Sequence, residues 1–126
     1  MEKPHKQLDV WQQGMVLVEM VYPLTSTFPV DERFGLSGQM RRAAVSIPSN
    51  IAEGAARATT RDYLHFLVIA RGSLSELDTQ LELSVRLNFL LPEHPVFSLL
   101  ASCGRLLSAL INRLRYKLKN DQSGPA

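Results

Sequence analysis

Residues 41–54, RRAAVSIPSNIAEG, bring together side chains that could do chemistry. Two arginines, Arg41 and Arg42, precede a single carboxylate, Glu53, on one short segment. A carboxylate can act as a general base, and arginines bind phosphate and carboxylate groups. No second acid, nucleophile or metal-binding cluster accompanies Glu53, so the sequence predicts no catalytic residue here.

The middle of this segment combines a proline with small polar residues. Pro48 removes an amide donor and disturbs the carbonyl of Ala44, at a cost of about 3 kcal/mol in a regular helix. Short polar side chains beside it can satisfy the freed backbone groups. Two interpretations follow. The segment forms either a pocket or partner surface centred on a kink, or a structural kink that permits tight packing. The structural kink is favoured. The residues of this structural motif are Ser46, Pro48, Asn50, Glu53 and Gly54.

Glu53 also has a candidate partner within the same segment of chain. Arg57 follows it by four residues, which on a helix places the two on one face and gives about 0.2–0.5 kcal/mol for an exposed pair. The alternative is a partly buried Glu53 that meets an arginine of another helix or subunit.

Residues 105–119 form the second candidate, with five basic residues and no acidic one. The net charge of +2 conceals this segregation, which creates a local positive field. The cluster is interpreted either as a phosphate-binding surface or as a solubilising face, since cations also suit a helix C-terminus. Tyr116 is the only aromatic residue among them, which is weak support for base stacking. The predicted nucleic-acid-binding residues are Arg105, Arg113, Arg115, Lys117 and Lys119, with Arg41 and Arg42 as contributors.

Other reactive side chains point to no further site. His5, His65 and His94 form no His-x-x-x-His or Glu-x-x-His pair, so neither a metal site nor a cofactor is predicted. Some helical ribonucleases of prokaryotic immunity separate an arginine and a histidine by four to six residues. Only three residues separate Arg61 from His65, which disfavours ribonuclease activity.

The single cysteine and the lengths of the apolar runs predict the cellular compartment. Cys103 lies among leucines and is predicted to be a buried, inert thiol, as suits a reducing, cytoplasmic compartment. No apolar run reaches the roughly 18 residues of a membrane-spanning helix, and the first seven residues lack the apolar core of a signal peptide. No membrane association is expected.

Four amphipathic helices must position these residues. Apolar side chains recur every three or four residues and no stretch alternates as a strand does, so the fold is predicted to be all-α. Short connections favour an antiparallel up-down-up-down four-helix bundle. The predicted helices cover residues 8–24, a segment from within 31–37 to within 54–58, residues 61–90 and residues 95–119. The bundle of residues 8–119 forms one domain between flexible tails at 1–7 and 120–126.

Several local features sharpen this prediction. Pro23 is expected to kink or end the first helix, and Thr59 or Thr60 to cap the third. Gly72, inside the third helix, is expected to mark the close approach of a neighbouring helix. The first helix carries two apolar stripes where one core needs one, which predicts that a second subunit covers the other.

Three segments together carry a resemblance to a known family. LDVWQ at 8–12, RRAAVSIPSNIAEG at 41–54 and GSLSELDTQL at 72–81 occur in the order and spacing of the bacterial rRNA intervening-sequence family. These four-helix bundle proteins are often encoded within insertions in large-subunit rRNA genes, and the resemblance covers residues 8–118. The family is similar to the accessory variability protein of diversity-generating retroelements, a homopentamer with a basic surface that binds nucleic acid and a reverse transcriptase.

The resemblance implies a homopentamer and nucleic-acid binding, but no established biochemical activity. Taken with the residues, it predicts a non-enzymatic oligomeric bundle that binds RNA, DNA or a nucleoprotein partner through a basic surface. The alternative is a protein-interaction scaffold without affinity for nucleic acid. A ribonuclease is the least favoured of the three.

Overall fold

The computed structural model describes residues 3–122 and consists of helices. No strand occurs within that range, so the prediction of an all-α fold with four helices is confirmed. Short 3-10 helices at Pro4–Gln7 and Val30–Glu32 precede α1 and α2. The four α-helices are α1 (Asp9–Ser26), α2 (Leu36–Ala55), α3 (Thr60–Arg86) and α4 (Val96–Gln122).

Cross-helix contacts give the direction in which neighbouring helices run. Later residues of α1 lie beside earlier residues of α2, and the same holds between α2 and α3, so each pair runs in opposite directions. The contacts that fix this are Arg41 with Thr25 and Pro48 with Gly14, then Met40 with Ser84 and Gly54 with Tyr63. Each α-helix packs against two others, so that α1 and α3 both contact α2 and α4.

The core draws large apolar side chains from every helix. Leu17, Ile47, Leu77 and Leu107, one from each α-helix, are fully buried. Burial of each such side chain contributes about 1.5–3 kcal/mol. Cys103 lies in the same core, and its burial raises the pKa of the thiol to about 11, because an apolar environment disfavours the thiolate. The predicted burial of this cysteine is confirmed.

The ends of α1 show how a proline can be accommodated. Pro23 does not end α1, which continues to Ser26, two residues past the predicted end. Pro23 has no amide hydrogen, so it removes one hydrogen bond of the ladder, to the Glu19 carbonyl, and the residues after it continue the helix. The Ser26 hydroxyl donates to the Pro23 carbonyl, one of the groups that the helix end leaves free, and the Thr25 hydroxyl donates to the Val21 carbonyl.

The boundaries of α3 follow from its two caps. The Thr59 hydroxyl accepts a hydrogen bond from the Asp62 amide at 3.1 Å, which confirms the predicted cap. At the other end α3 stops at Arg86, four residues before the predicted end, because Asn88 takes the left-handed conformation with φ 64°. The Phe89 amide then bonds the Ser84 carbonyl at 2.8 Å, as in a Schellman cap.

Two glycines reverse the expectation about close packing. A Cβ added at Gly72 would meet nothing within 4 Å, so the prediction that Gly72 marks a close approach is wrong. This glycine lies on the exposed side of α3. The close approach occurs instead at buried Gly54, where a Cβ would lie 3.0 Å from both the Phe66 Cβ and the Tyr63 carbonyl oxygen.

The structure extends beyond the predicted bundle at both ends. In the 3-10 helix at Pro4–Gln7, the Lys6 carbonyl accepts a hydrogen bond from the Gln12 side chain at 2.8 Å. At the other end, α4 continues past residue 119 to Gln122. Of the predicted flexible tails, residues 1–2 and 123–126 lie outside the described residues.

Candidate functional site

The second half of α4 carries its cations in solvent. All five predicted basic residues, from Arg105 to Lys119, are exposed. Ile111 is the last fully buried side chain of the helix as far as residue 121, and Leu114 and Leu118 are half-buried. The final turns of α4 therefore contact the bundle along one edge and expose the remaining circumference to solvent.

The cations of this segment project toward both neighbours of α4. Residues four apart share a helix face, so Arg113 with Lys117 and Arg115 with Lys119 form two flanks. Arg113 lines a groove against residues 7–10 at the start of α1. Arg115 follows Gly104 by three helical turns, and Gly104 faces Leu74 of α3. The positive surface thus spans the end of the bundle rather than a single stripe.

The five cations are not paired with carboxylates within residues 3–122. None of the five forms an ion pair there, and the ion pair that is present joins Arg57 to Glu53. Arg113 acts on Tyr63 of α3, where its charge lowers the pKa of the phenol against the larger effect of burial, which raises it. The cluster therefore keeps its capacity to bind anions.

The end of α4 belongs to a half of the bundle in which basic residues outnumber acidic ones. Two contacts, Ser46 with Ser73 and Leu74 with Gly104, mark a level that divides the described chain. Residues 3–16, 46–73 and 104–122, the basic half, hold ten basic and four acidic residues. Residues 17–45 and 74–103, the acidic half, hold four basic and seven acidic residues. The molecule is therefore strongly polarised along its axis.

Four further cations lie at the same end as the α4 cluster and were not among the predicted nucleic-acid-binding residues. They lie at the start of the chain and around the α2–α3 connection, and are Lys3, Lys6, Arg57 and Arg61. Neither segment is basic enough to stand out alone. The predicted antiparallel topology is the signal that could have found them, because it brings the chain start, the α2–α3 connection and the end of α4 to one end.

Arg41 and Arg42 lie in the acidic half, away from the α4 cluster. Arg41 sits on the end of α1, where its Nε donates to the Thr25 hydroxyl at 2.9 Å and a terminal nitrogen donates to the Tyr22 carbonyl at 3.3 Å. Arg42 is exposed. Along α3, the level of these arginines is separated from that of Arg113 by about 20 residues, or about 30 Å. The structure does not bring the two predicted groups together.

The polar residues around Pro48 connect helices. The hydroxyls of Ser46 and Ser73 lie 2.7 Å apart, and the Asn50 side chain donates to the Ser46 carbonyl at 2.8 Å and to its hydroxyl at 2.9 Å. Pro48 is buried, and its ring lies 3.4–3.5 Å from the position of a Cβ at Gly14. These side chains thus join α2 to α3 and α1, which supports the structural interpretation of the motif.

Glu53 is held by the neighbour predicted for it. The carboxylate accepts a hydrogen bond from Arg57, and both side chains are about half exposed, so the predicted pair within α2 and the following turn is confirmed. Arg57 also lies over the Phe66 ring, 4.7 Å from its centroid. Among residues 3–122, no group of three histidine, cysteine, aspartate or glutamate side chains lies close enough to hold a metal ion.

Comparison with other proteins adds a fold and a family. In the described chain, no helix combines the length and apolarity needed to cross a membrane. No curated protein matches the sequence. A crystal structure of a protein of unknown function from the S23 ribosomal protein family of Bacteroides thetaiotaomicron is similar, with a TM-score of 0.75 and 23% identity. The match covers 82% of this chain and 95% of that one, and shows a shared fold.

The sequence itself matches a family over most of its length. Residues 6–112 match the 23S rRNA-intervening sequence proteins. That range contains all three segments on which the resemblance rests, together with most of each α-helix. The chain belongs to the 23S rRNA-intervening sequence protein family.

Proposed function

We propose that this protein is a non-enzymatic, oligomeric four-helix bundle that binds nucleic acid through its basic half. The observation that carries the proposal is the exposed cluster at the end of α4, whose five cations form no ion pair within residues 3–122. Lysine and arginine in this state can neutralise phosphates and release counterions, which supplies most sequence-independent affinity for nucleic acid. The cations of the chain start and of the α2–α3 connection enlarge the same surface.

The chemistry of the surface favours the sugar–phosphate backbone over the bases. Long cationic side chains position a nucleic acid without reading its sequence. One ring is available for stacking, since Tyr116 is 70% exposed between Arg115 and Lys117. We therefore expect weak dependence on base sequence and a strong dependence on salt.

An oligomer is supported by the outward face of α1. Met15 and Tyr22 are exposed there at 39% and 43%, on the stripe beside the one that enters the core. A second subunit on this stripe would remove apolar surface from water. The family resemblance implies five copies, so light scattering is expected to give about 70 kDa from chains of 14.1 kDa. A mass of one chain at micromolar concentration would overturn the oligomer.

The binding surface is tested with two variants of equal charge change. One combines Arg115→Gln, Lys117→Gln and Lys119→Gln in the basic half. The matched control combines Arg33→Gln, Arg42→Gln and Arg86→Gln, three exposed arginines of the acidic half. Retention of single-stranded and duplex RNA and DNA whose ends carry hydroxyls and no terminal phosphate is measured on filters at constant salt, with circular dichroism to verify the helical content of each variant.

We expect the basic-half variant to lose at least tenfold in affinity and the control to lose less than twofold. Equal losses would show that net charge, not the α4 surface, governs retention. If the unmodified protein retains no nucleic acid, the proposal fails, and the exposed apolar stripe of α1 then favours the protein-interaction scaffold. Cleavage of the RNA during the assay would contradict the non-enzymatic assignment.

A further inference from the structure

We infer a second anion site, for a terminal phosphate group, in a cleft between the end of α1 and the start of α2. The cleft encloses about 380 Å³, and its walls include Thr25, Phe28, Arg33, Ser37 and Arg41. It lies in the acidic half, at the opposite end from the α4 cluster. The inference stands independently of the proposed nucleic-acid surface.

Arg41 supplies a guanidinium that is already oriented. Its Nε and one terminal nitrogen are engaged by Thr25 and by the Tyr22 carbonyl, and the group lies over the Tyr22 ring at 4.7 Å from its centroid. The other terminal nitrogen makes no hydrogen bond within the described residues. A fixed donor of this kind loses little rotamer freedom when an oxyanion binds.

Ser37 supplies a hydroxyl that has no protein partner within residues 3–122 and is still reached by solvent from the cleft. Its side chain lines the cleft, and the residue is 5% exposed. Buried polar groups in folded proteins are nearly always satisfied by protein, water or ligand. A phosphate oxygen in the cleft would satisfy this hydroxyl while it accepts from Arg41.

The charges around the cleft suit an anion. Arg33 adds a second guanidinium, exposed at the mouth, and no aspartate or glutamate lies among the residues that line the cleft. Glu32, next to Arg33 in the chain, accepts from the Leu36 amide at 3.1 Å. That bond occupies the Leu36 amide. The amides of Ser37 and Gly38, also in the first turn of α2, remain available as donors at a helix end that favours negative charge.

The negative end of α1 is screened at the same place. Of its last four carbonyls, those of Pro23, Leu24 and Thr25 accept from the Ser26 hydroxyl, the Thr27 hydroxyl and the Phe28 amide. Three of the four carbonyls that would repel an anion are thus engaged. Donors remain at the floor of the cleft, which favours a group that can enter end-on, as a terminal phosphate can and a diester with two bulky substituents cannot.

The test uses isothermal titration calorimetry on the full chain at constant ionic strength. The probes are inorganic phosphate, glycerol 3-phosphate and dimethyl phosphate, with chloride as the reference anion. The variants are Arg33→Gln and Ser37→Ala, and the matched control is Arg42→Gln, an exposed neighbour on α2 that does not line the cleft. Circular dichroism verifies that each variant keeps its helical content.

We expect saturable binding of inorganic phosphate, weakened about tenfold by Arg33→Gln, several-fold by Ser37→Ala and less than twofold by Arg42→Gln. Glycerol 3-phosphate bound more tightly than phosphate would identify an ester as the natural form, and the reverse would identify the free anion. Either outcome supports the site. Dimethyl phosphate bound as tightly as phosphate, equal effects of the two arginine variants, or no saturable binding up to about 10 mM phosphate would overturn it.

Discussion

The two halves of the bundle use arginine in different ways. In the acidic half, Arg41 is half-buried, bonds two groups on the end of α1 and stacks on Tyr22. In the basic half, Arg113 and Arg115 are exposed and form no ion pair within the described chain. A count of charges therefore does not separate structural arginines from arginines that are available to bind an anion. Burial and partners do.

Within the basic half, two glycines differ in how closely a neighbouring helix approaches. The basic half contains the tight contact of α2 with α3 at Gly54, next to the Tyr63 backbone. Gly72, close to the boundary between the halves, faces open space. The residues of this close α2–α3 contact also face cations, since Arg57 lies over the Phe66 ring and the charge of Arg113 acts on Tyr63.

The largest expected effect comes from filling the space at Gly54. Gly54→Leu should lower the free energy of unfolding by about 3 kcal/mol, because the side chain must displace Phe66 and the Tyr63 carbonyl. Gly72→Ala is the matched control. It should raise the free energy of unfolding by about 0.5–1 kcal/mol, since alanine is the better helix former and meets no neighbour. Urea denaturation measures both, and a neutral Gly54→Leu would contradict the packing difference.

The contrast between structural and available arginines predicts a smaller pair of effects. Arg41→Gln should destabilise the protein by about 1–3 kcal/mol, because Thr25 and the Tyr22 carbonyl lose a charged donor. Arg42→Gln, exposed one position later, should stay within about 0.5 kcal/mol. Thermal denaturation of the two variants compares them directly. Similar melting temperatures would mean that Arg41 is as dispensable as its neighbour.

The smallest effect is expected at Glu53, in the basic half. Glu53→Gln removes an exposed pair with Arg57, so the free energy of unfolding should fall by less than about 0.5 kcal/mol. The same change frees one more cation near the α4 cluster, so affinity for nucleic acid should rise slightly. Denaturation and filter binding measure these two quantities. A loss above about 2 kcal/mol would show that Glu53 has a buried partner after all.

Local patterns in the sequence were sufficient for the helices and for some of their ends. The spacing of apolar residues predicts four helices, and Thr59 or Thr60 is predicted as a cap because a short polar side chain before a helix satisfies its first amides; the structure selects Thr59. Cys103 was placed in the core by its leucine neighbours. Each of these features depends on residues within one or two helical turns.

Features that depend on tertiary contacts were not predicted. Gly72 resembles a packing glycine in sequence, yet its face points to solvent, and Gly54 could be recognised only once α3 lay against it. The end of α3 depended on the left-handed Asn88, which the apolar pattern does not reveal. The pairing of Arg41 with α1 and the gathering of Lys3, Arg57 and Arg61 near α4 require the topology as well.

We propose above that the cations at the end of α4 bind phosphates of a nucleic acid. The most direct test of this claim is the slope of the logarithm of the association constant against the logarithm of salt concentration, for single-stranded RNA whose ends carry hydroxyls and no terminal phosphate. Each phosphate contact contributes about −0.7 to that slope, so substitution of Arg115, Lys117 and Lys119 by glutamine should make it less negative by about 2. The matched substitution of Arg33, Arg42 and Arg86 should leave the slope unchanged. Equal changes in both variants, or a slope near zero for the unmodified protein, would contradict the claim.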